Sequence, residues 1–293
     1  MPYTQLTPES WDAKKRRMLV IGAPDMGKTF SLLTAEPRVA IVSAPLEEGS
    51  STIPPNNPNV QAFVCNLDFS QPISWGQEVD GVKQLVTEIL AGKYGEFRTL
   101  AVDGLHKFYL SWLYRNDPGL PKGEPLLEAF KLYPGVNNPF FLELKRCMSV
   151  IERGNPAGIR NLICTAWLAP DKDNPNVTKM ASATQHEYPA LAGKAGRDIV
   201  GEFSVVVKAD REGPRFVWRT KPDELVWGVG IKAPPEIAAR IPAVIDQKWD
   251  VLAKHLGIEA AAPRMTPAMS PIKGGGMASV NTPQIITNQG ARK

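Results

Sequence analysis

Four residues at one spacing carry the first chemical signal: Gly22, Gly27, Lys28 and Thr29, in the run GAPDMGKT at 22–29. They fit G-x-x-x-x-G-K-[ST], and the apolar MLVI just before supplies the strand that the pattern requires. Glycines let the backbone turn tightly and aim successive N–H groups at phosphate oxygens. A following helix, FSLLTAE, would add its N-terminal dipole. Lys28 would reach β and γ phosphates, and the Thr29 hydroxyl would take one Mg²⁺ position. The segment Gly22, Ala23, Pro24, Asp25, Met26, Gly27, Lys28, Thr29, Phe30 is therefore the candidate nucleotide-binding set, with Asp25 its least comfortable member because an acid near phosphates must turn outward. The bland alternative is a Gly-rich turn with an incidental lysine.

A second signal is TLAVDGL at 99–105, an apolar strand delivering an acid at its end. In a parallel α/β sheet, the carboxyl ends of the strands line the ligand crevice, so Asp103 would face the phosphate loop and share Mg²⁺ with Thr29. Its neighbour is Gly104, not a carboxylate, so a water-activating acid must come from elsewhere. LEEG at 46–49, beyond the strand VAIVS, supplies Glu48, preferred over Glu47, with a solvated acidic turn as the alternative.

The elements that must hold these residues alternate between strand and helix, the pattern of a mostly parallel sheet with helical crossovers. Core strands are expected at 18–21, 38–43, 99–103, 161–166 and 203–209, a hairpin partner at 215–220 after REGP, and a short strand at 60–64. Helices are expected at 75–91, 105–114, 138–153 and 235–256. The Pro- and Gly-rich stretch 116–136 and the polar stretch 170–189 read as excursions from the core. Residues 1–15 form a lead-in, 16–256 one α/β P-loop domain, and 257–293, rich in Ala, Pro, Gly and Ser, a flexible or partner-binding tail.

Composition narrows the classes. The chain has 293 residues, 43% of them hydrophobic, and a net charge of +4, which permits a nucleic-acid partner without demanding one. No apolar run reaches membrane-spanning length, and MPYTQLTPES lacks the form of a signal peptide. Cys65, Cys147 and Cys164 are isolated and odd in number, and read as reduced core residues. His106, His186 and His255 form no metal spacing. The densest basic cluster, Lys14 to Arg17, reads as a solvated lead-in to the first strand ahead of a phosphate-backbone contact. Trp112, Trp218, Trp227 and Trp249 read as core or interface anchors. Neither the guanine-reading N-K-x-D of GTPases nor the L-S-G-G-Q of transporter ATPases is present, and no arginine-rich kinase lid or packaging-motor Asp-Glu is found.

The set GAPDMGKT, VAIVSAPLEEG, TLAVDGL and NLICTAWL, followed by ALAGKAGRDIVGEFSVVV and RFVWRTKP, resembles phage-encoded AAA-domain ATPases with a RecA-like core, a group that includes recombination ATPases implicated in single-strand annealing. The resemblance covers about 16–256. It implies ATP and Mg²⁺ as cofactors, hydrolysis, a homo-oligomer closed at the nucleotide edge, single-stranded DNA as partner, and the cytoplasm of a phage-infected or prophage-bearing bacterium. It matches Thr165 to a polar sensor position and Glu48 to a separate catalytic acid. Trp167 stands where related sequences often carry histidine, and Asp25 where glycine is usual. A basic residue from a neighbouring subunit, Lys194, Arg197 or Lys232, would complete the site. The 170–189 excursion, with Lys172, Lys179, His186 and Tyr188 but also Asp171 and Asp173, is the candidate DNA loop, with an irregular surface loop as the equal alternative. The rival reading is a nucleotide-gated adaptor that does not hydrolyse and recruits a replication or recombination protein through the tail, for which a single-strand-binding protein is one candidate partner.

Overall fold

The structure, a computed structural model, describes residues 16–44, 51–54, 56–64, 74–120, 123–170, 187–191, 194–222, 226 and 228–258. Glu47, Glu48, Cys65, Lys172, Lys179, His186, Trp227, the 1–15 lead-in and the tail from 259 onward lie outside them.

The apolar runs become the strands of one sheet: β1 (Arg17–Gly22), β2 (Val39–Ser43), β3 (Val60–Val64), β4 (Thr99–Asp103), β5 (Asn161–Pro170), β6 (Glu187–Pro189), β7 (Val205–Glu212), β8 (Arg215–Arg219), β9 (Gly230–Ile231) and β10 (Val244–Asp246). Their order is β10-β8-β7-β1-β5-β4-β2-β3, with β6 on β5 and β9 on β7. The six strands from β7 to β3 run parallel, while β8 turns back on β7 and β10 back on β8. The β7–β8 turn places Gly213 at φ 60 in the first central position, the backbone of a type II′ hairpin.

Period-two alternation sends β1 residues to opposite faces. Leu19 and Ile21 join a core with α2 (Ser74–Leu90), α3 (Leu105–Asn116), α4 (Ala129–Arg153) and α5 (Ala195–Glu202). Met18 and Val20 join a second core, built on α1 (Lys28–Leu32) and α7 (Trp249–Leu256). The result is a mixed α/β fold whose largely parallel sheet is flanked by helices on both faces. Among the described residues, no helix is long and apolar enough to cross a membrane.

Two expectations are corrected. The helix expected from 138 begins at Ala129, despite Pro134 and Pro139 inside it, because Leu132, Val136, Phe140 and Leu144 bury one continuous stripe. The surface excursion is correspondingly shorter, and it is pinned where the Asp117 carboxylate accepts the backbone N–H groups of Gly119, Leu126 and Leu127. The single helix expected over 235–256 is three elements: α6 (Pro235–Arg240), β10 and α7. Pro242 has no N–H to continue α6, and β-branched Val244 and Ile245 then pair with β8.

Candidate functional site

β1 delivers the phosphate loop to the carboxyl edge. Gly22 closes the strand against β7: a Cβ there would sit 2.8 Å from the Ala209 carbonyl oxygen. Asp25 adopts φ 62, a left-handed conformation that aspartate tolerates better than most residues, and it is exposed, which answers both the missing glycine and the acid's charge. Gly27, at φ 70, caps α1. That helix has only five residues, so the anion-binding capacity rests on the free N–H groups of its first turn more than on a long dipole. Lys28 is 7% exposed and folds back, its Nζ donating to the Ala23 carbonyl at 2.6 Å.

β5 lies between β1 and β4, and alternation turns Thr165 and Asp103 toward the α1 face. Asp103 is 1% exposed. Its Oδ2 accepts from the Thr29 hydroxyl at 2.8 Å and its Oδ1 from the Thr165 hydroxyl at 2.6 Å. Burial pushes its carboxyl up, against the opposing pull of those two hydrogen bonds and the Lys28 charge. Gly104 explains the absent second carboxylate. It turns at φ 85 to start α3 at once, and its N–H donates to Thr165 Oγ1 at 2.9 Å.

These positions can hold a divalent cation. Thr29 and Asp103 offer hard oxygen donors side by side, and burial of the carboxylate outweighs its two hydroxyl partners and the Lys28 charge. Among the described residues no cluster of three or more His, Cys, Asp or Glu could hold a metal, so phosphate oxygens and water would complete the shell, as Mg²⁺ favours.

Three residues nearby escaped the sequence reading. Ser43 pairs in register with Asp103, is 1% exposed, and its Oγ has no hydrogen-bond partner among the described residues. His106, 7% exposed, accepts from the Trp167 N–H at its Nδ1, 3.4 Å away, and stacks on the Trp167 ring at 4.7 Å. An imidazole therefore stands beside Trp167. Burial, then the charges of Lys107 and Lys28, push its pKa down to about 3, so it is neutral, with a buried Nε2 left unpartnered among the described residues. Gln247 donates its Nε2 to the Met26 carbonyl at 3.1 Å. The first two were visible only as polar residues ending or following apolar runs. Gln247 was hidden by the expected long helix.

A family model described as an AAA domain matches residues 14–228, well over half of the chain. The chain belongs to the AAA domain family. No curated protein matches it. The AAA domain thus spans the phosphate loop, Asp103 and Thr165, and identifies an AAA-type P-loop ATPase fold; β9, β10 and α7 follow the matched stretch.

The other candidates are dispersed. Arg197 lies over the Tyr188 ring at 5.1 Å, which engages the residue proposed to stack a base. Lys194 is exposed at the start of α5. Lys232 donates to the Gly201 carbonyl at 2.6 Å, beside the first residues of β7 and so at the edge opposite the phosphate loop. In the basic cluster, Arg16 and Arg17 pair with Glu36 and Glu152. Cys147 and Cys164 are buried free thiols, and Trp112, Trp218 and Trp249 are buried in the core.

Proposed function

We propose that the protein binds ATP with Mg²⁺, hydrolyses it, and does so on single-stranded DNA during phage recombination or replication in a bacterial cytoplasm. The observation that carries the nucleotide reading is the pair of hydroxyls, Thr29 and Thr165, converging on buried Asp103 at the mouth of the phosphate loop. In this reading Lys28 leaves the Ala23 carbonyl for the β and γ phosphates, while Thr29 and Asp103 hold the metal. Mg²⁺, when bound beside Thr29 and Asp103, would supply positive charge to offset the charge that develops as the γ phosphoryl group transfers. Thr165 ties Asp103 to Gly104 and so reports strain at the metal acid to the start of α3. Glu48 orients and polarises the attacking water, and Lys194 or Arg197 of a neighbouring copy contributes the further positive charge. The DNA partner is supported by the resemblance and is compatible with the +4 net charge.

The test is steady-state ATP hydrolysis with and without single-stranded DNA, beside Lys28→Ala and Glu48→Gln. Turnover stimulated by DNA and lost in both variants is expected. Unchanged binding and turnover in Lys28→Ala would defeat the phosphate-loop assignment. ATP binding without turnover under any DNA condition would establish a nucleotide-gated adaptor, with residues 257–293 as the segment to delete next.

A further inference from the structure

On the β7 side of the phosphate loop, away from Asp103, lies a cavity of about 260 Å³ lined by Phe30, Arg215, Phe216, Asp246, Gln247 and Lys248. We propose that this cavity is the nucleobase subsite of the nucleotide site and that it selects adenine through Gln247. The proposal rests on the nucleotide-binding reading above.

Position is the first argument. Gln247 and Phe216 press on the loop itself: a Cβ on Gly27 would lie 2.7 Å from Gln247 Oε1 and 2.9 Å from Phe216 Cδ1. A ligand whose phosphates sit on the loop would reach this cavity with its other end, and the volume approaches the roughly 300 Å³ of the smallest small-molecule pockets. The lining is the second. Phe30, directly after Thr29, is 52% exposed, so its ring is open to a stacking ligand. Phe216 adds a second ring, already under the Arg211 guanidinium at 5.4 Å. Purine faces stack on such rings irrespective of base identity.

Identity comes from Gln247. The side chain is 3% exposed and its Nε2 is committed to the Met26 carbonyl, which fixes the amide orientation. Its Oε1 has no hydrogen-bond partner among the described residues. A buried acceptor left unpaired is costly and calls for a donor. Adenine presents an exocyclic amine, whereas guanine and hypoxanthine present a carbonyl at the same position, which would set acceptor against acceptor. Arg215 is tied to Asp246, so the remaining wall charge is the Lys248 ammonium, suited to an anionic ligand. Gln247 follows the stretch matched by the AAA domain, so this chain supplies base selection from its own β10 connection.

The test is equilibrium binding of ATP, ITP and inorganic tripolyphosphate to the full chain with Mg²⁺, for the unmodified protein, Gln247→Ala and Phe30→Ala. ATP should bind roughly tenfold more tightly than ITP, and that gap should vanish in Gln247→Ala. Phe30→Ala, at an exposed position, should weaken both nucleotides by roughly tenfold while leaving tripolyphosphate unchanged. Unaltered tripolyphosphate affinity in Gln247→Ala would show that the loop survives the substitution. Equal binding of ATP and ITP to the unmodified protein, a gap that persists in Gln247→Ala, or a Phe30→Ala variant with unchanged nucleotide affinity would each overturn the subsite while leaving the phosphate-loop reading standing. Failure of both ATP and tripolyphosphate to bind would overturn the two together.

Discussion

At the amino ends of β1, β4 and β5, the Glu36 carboxylate is gripped from several sides; at the carboxyl ends of β4 and β5, Asp103 is met by two hydroxyls with Lys28 near by. Around Glu36, Arg160 donates through two guanidinium nitrogens, Asn161 Nδ2 donates at 2.8 Å and Arg16 stands 3.6 Å away. The Thr99 hydroxyl donates to the Glu36 carbonyl at 2.9 Å. Burial would raise the Glu36 carboxyl, but these hydrogen bonds and charges outweigh it and hold the group below its ordinary 4.5. Asp103 goes the other way, raised by burial that its hydroxyl partners do not cancel. At the carboxyl edge, Ser43 Oγ, His106 Nε2 and Gln247 Oε1 are also buried and without partners among the described residues. The amino edge leaves Arg17 Nε buried and unpartnered among the described residues, while the carboxyl edge leaves these three, the larger reserve for a ligand.

The sharpest way to break that contrast is to neutralise one carboxylate at each edge. Asp103→Asn should cut ATP turnover by roughly a hundredfold or more, the scale of losing a preorganised electrostatic group. Its melting temperature without nucleotide should not fall. A carboxyl whose folded pKa is raised contributes stability at low pH that is lost as pH rises, so at neutral pH the ionised Asp103 works against the fold. Thermal denaturation and turnover measured on the same preparation decide it; a large drop in stability would mean that Asp103 is a structural anchor.

Glu36→Gln should show the reverse. Removing a charge that Arg160 and Arg16 compensate leaves those cations poorly matched, at a cost of about 2 kcal/mol. Turnover per folded molecule should hold. The depressed Glu36 carboxyl contributes stability present above its ordinary 4.5 and lost as pH falls below it, so the variant's deficit should shrink toward acid pH. Urea midpoints for both proteins at neutral and acid pH check this, and a deficit independent of pH would contradict it.

The difference between the edges also explains what the sequence made legible. Strands such as VAIVS and NLICTAW announce themselves because a doubly covered parallel sheet demands continuous apolar runs, and the phosphate loop does so because its glycines have backbone duties. Asp103 follows from a strand end and Thr165 from the resemblance, and in the structure the hydroxyls of Thr29 and Thr165 both donate to Asp103. The Glu36 clasp was illegible, since its partners lie as many as 125 positions from Glu36. The segment 235–256 misled because its composition suits a helix, whereas Pro242 and the β-branched pair after it divert the chain into β10. That diversion is what carries Gln247 to the phosphate loop.

The smallest effect separates the two edges along the pH axis. His106 is buried neutral, its pKa lowered from 6.5 to about 3 by desolvation first and then by Lys107 and Lys28. A group depressed in the folded state contributes stability that is complete above its unfolded pKa and declines as pH falls through the window down to the folded value. For His106 the decline begins near pH 6.5, while Glu36 contributes its decline only below about 4.5. Between pH 7 and pH 5 the His106 contribution therefore declines while that of Glu36 holds, and Asp103, whose carboxyl is raised, acts in the opposite direction. His106→Phe keeps a ring to stack on Trp167 and removes the titrating group, so its urea midpoint should change less over that interval than the unmodified protein's. Other titrating groups are common to both proteins and cancel in the difference. Identical slopes for the two would mean that His106 takes up its proton without leaving its place beside Trp167, and the reserve of unpaired groups at the carboxyl edge would then reduce to Ser43 and Gln247.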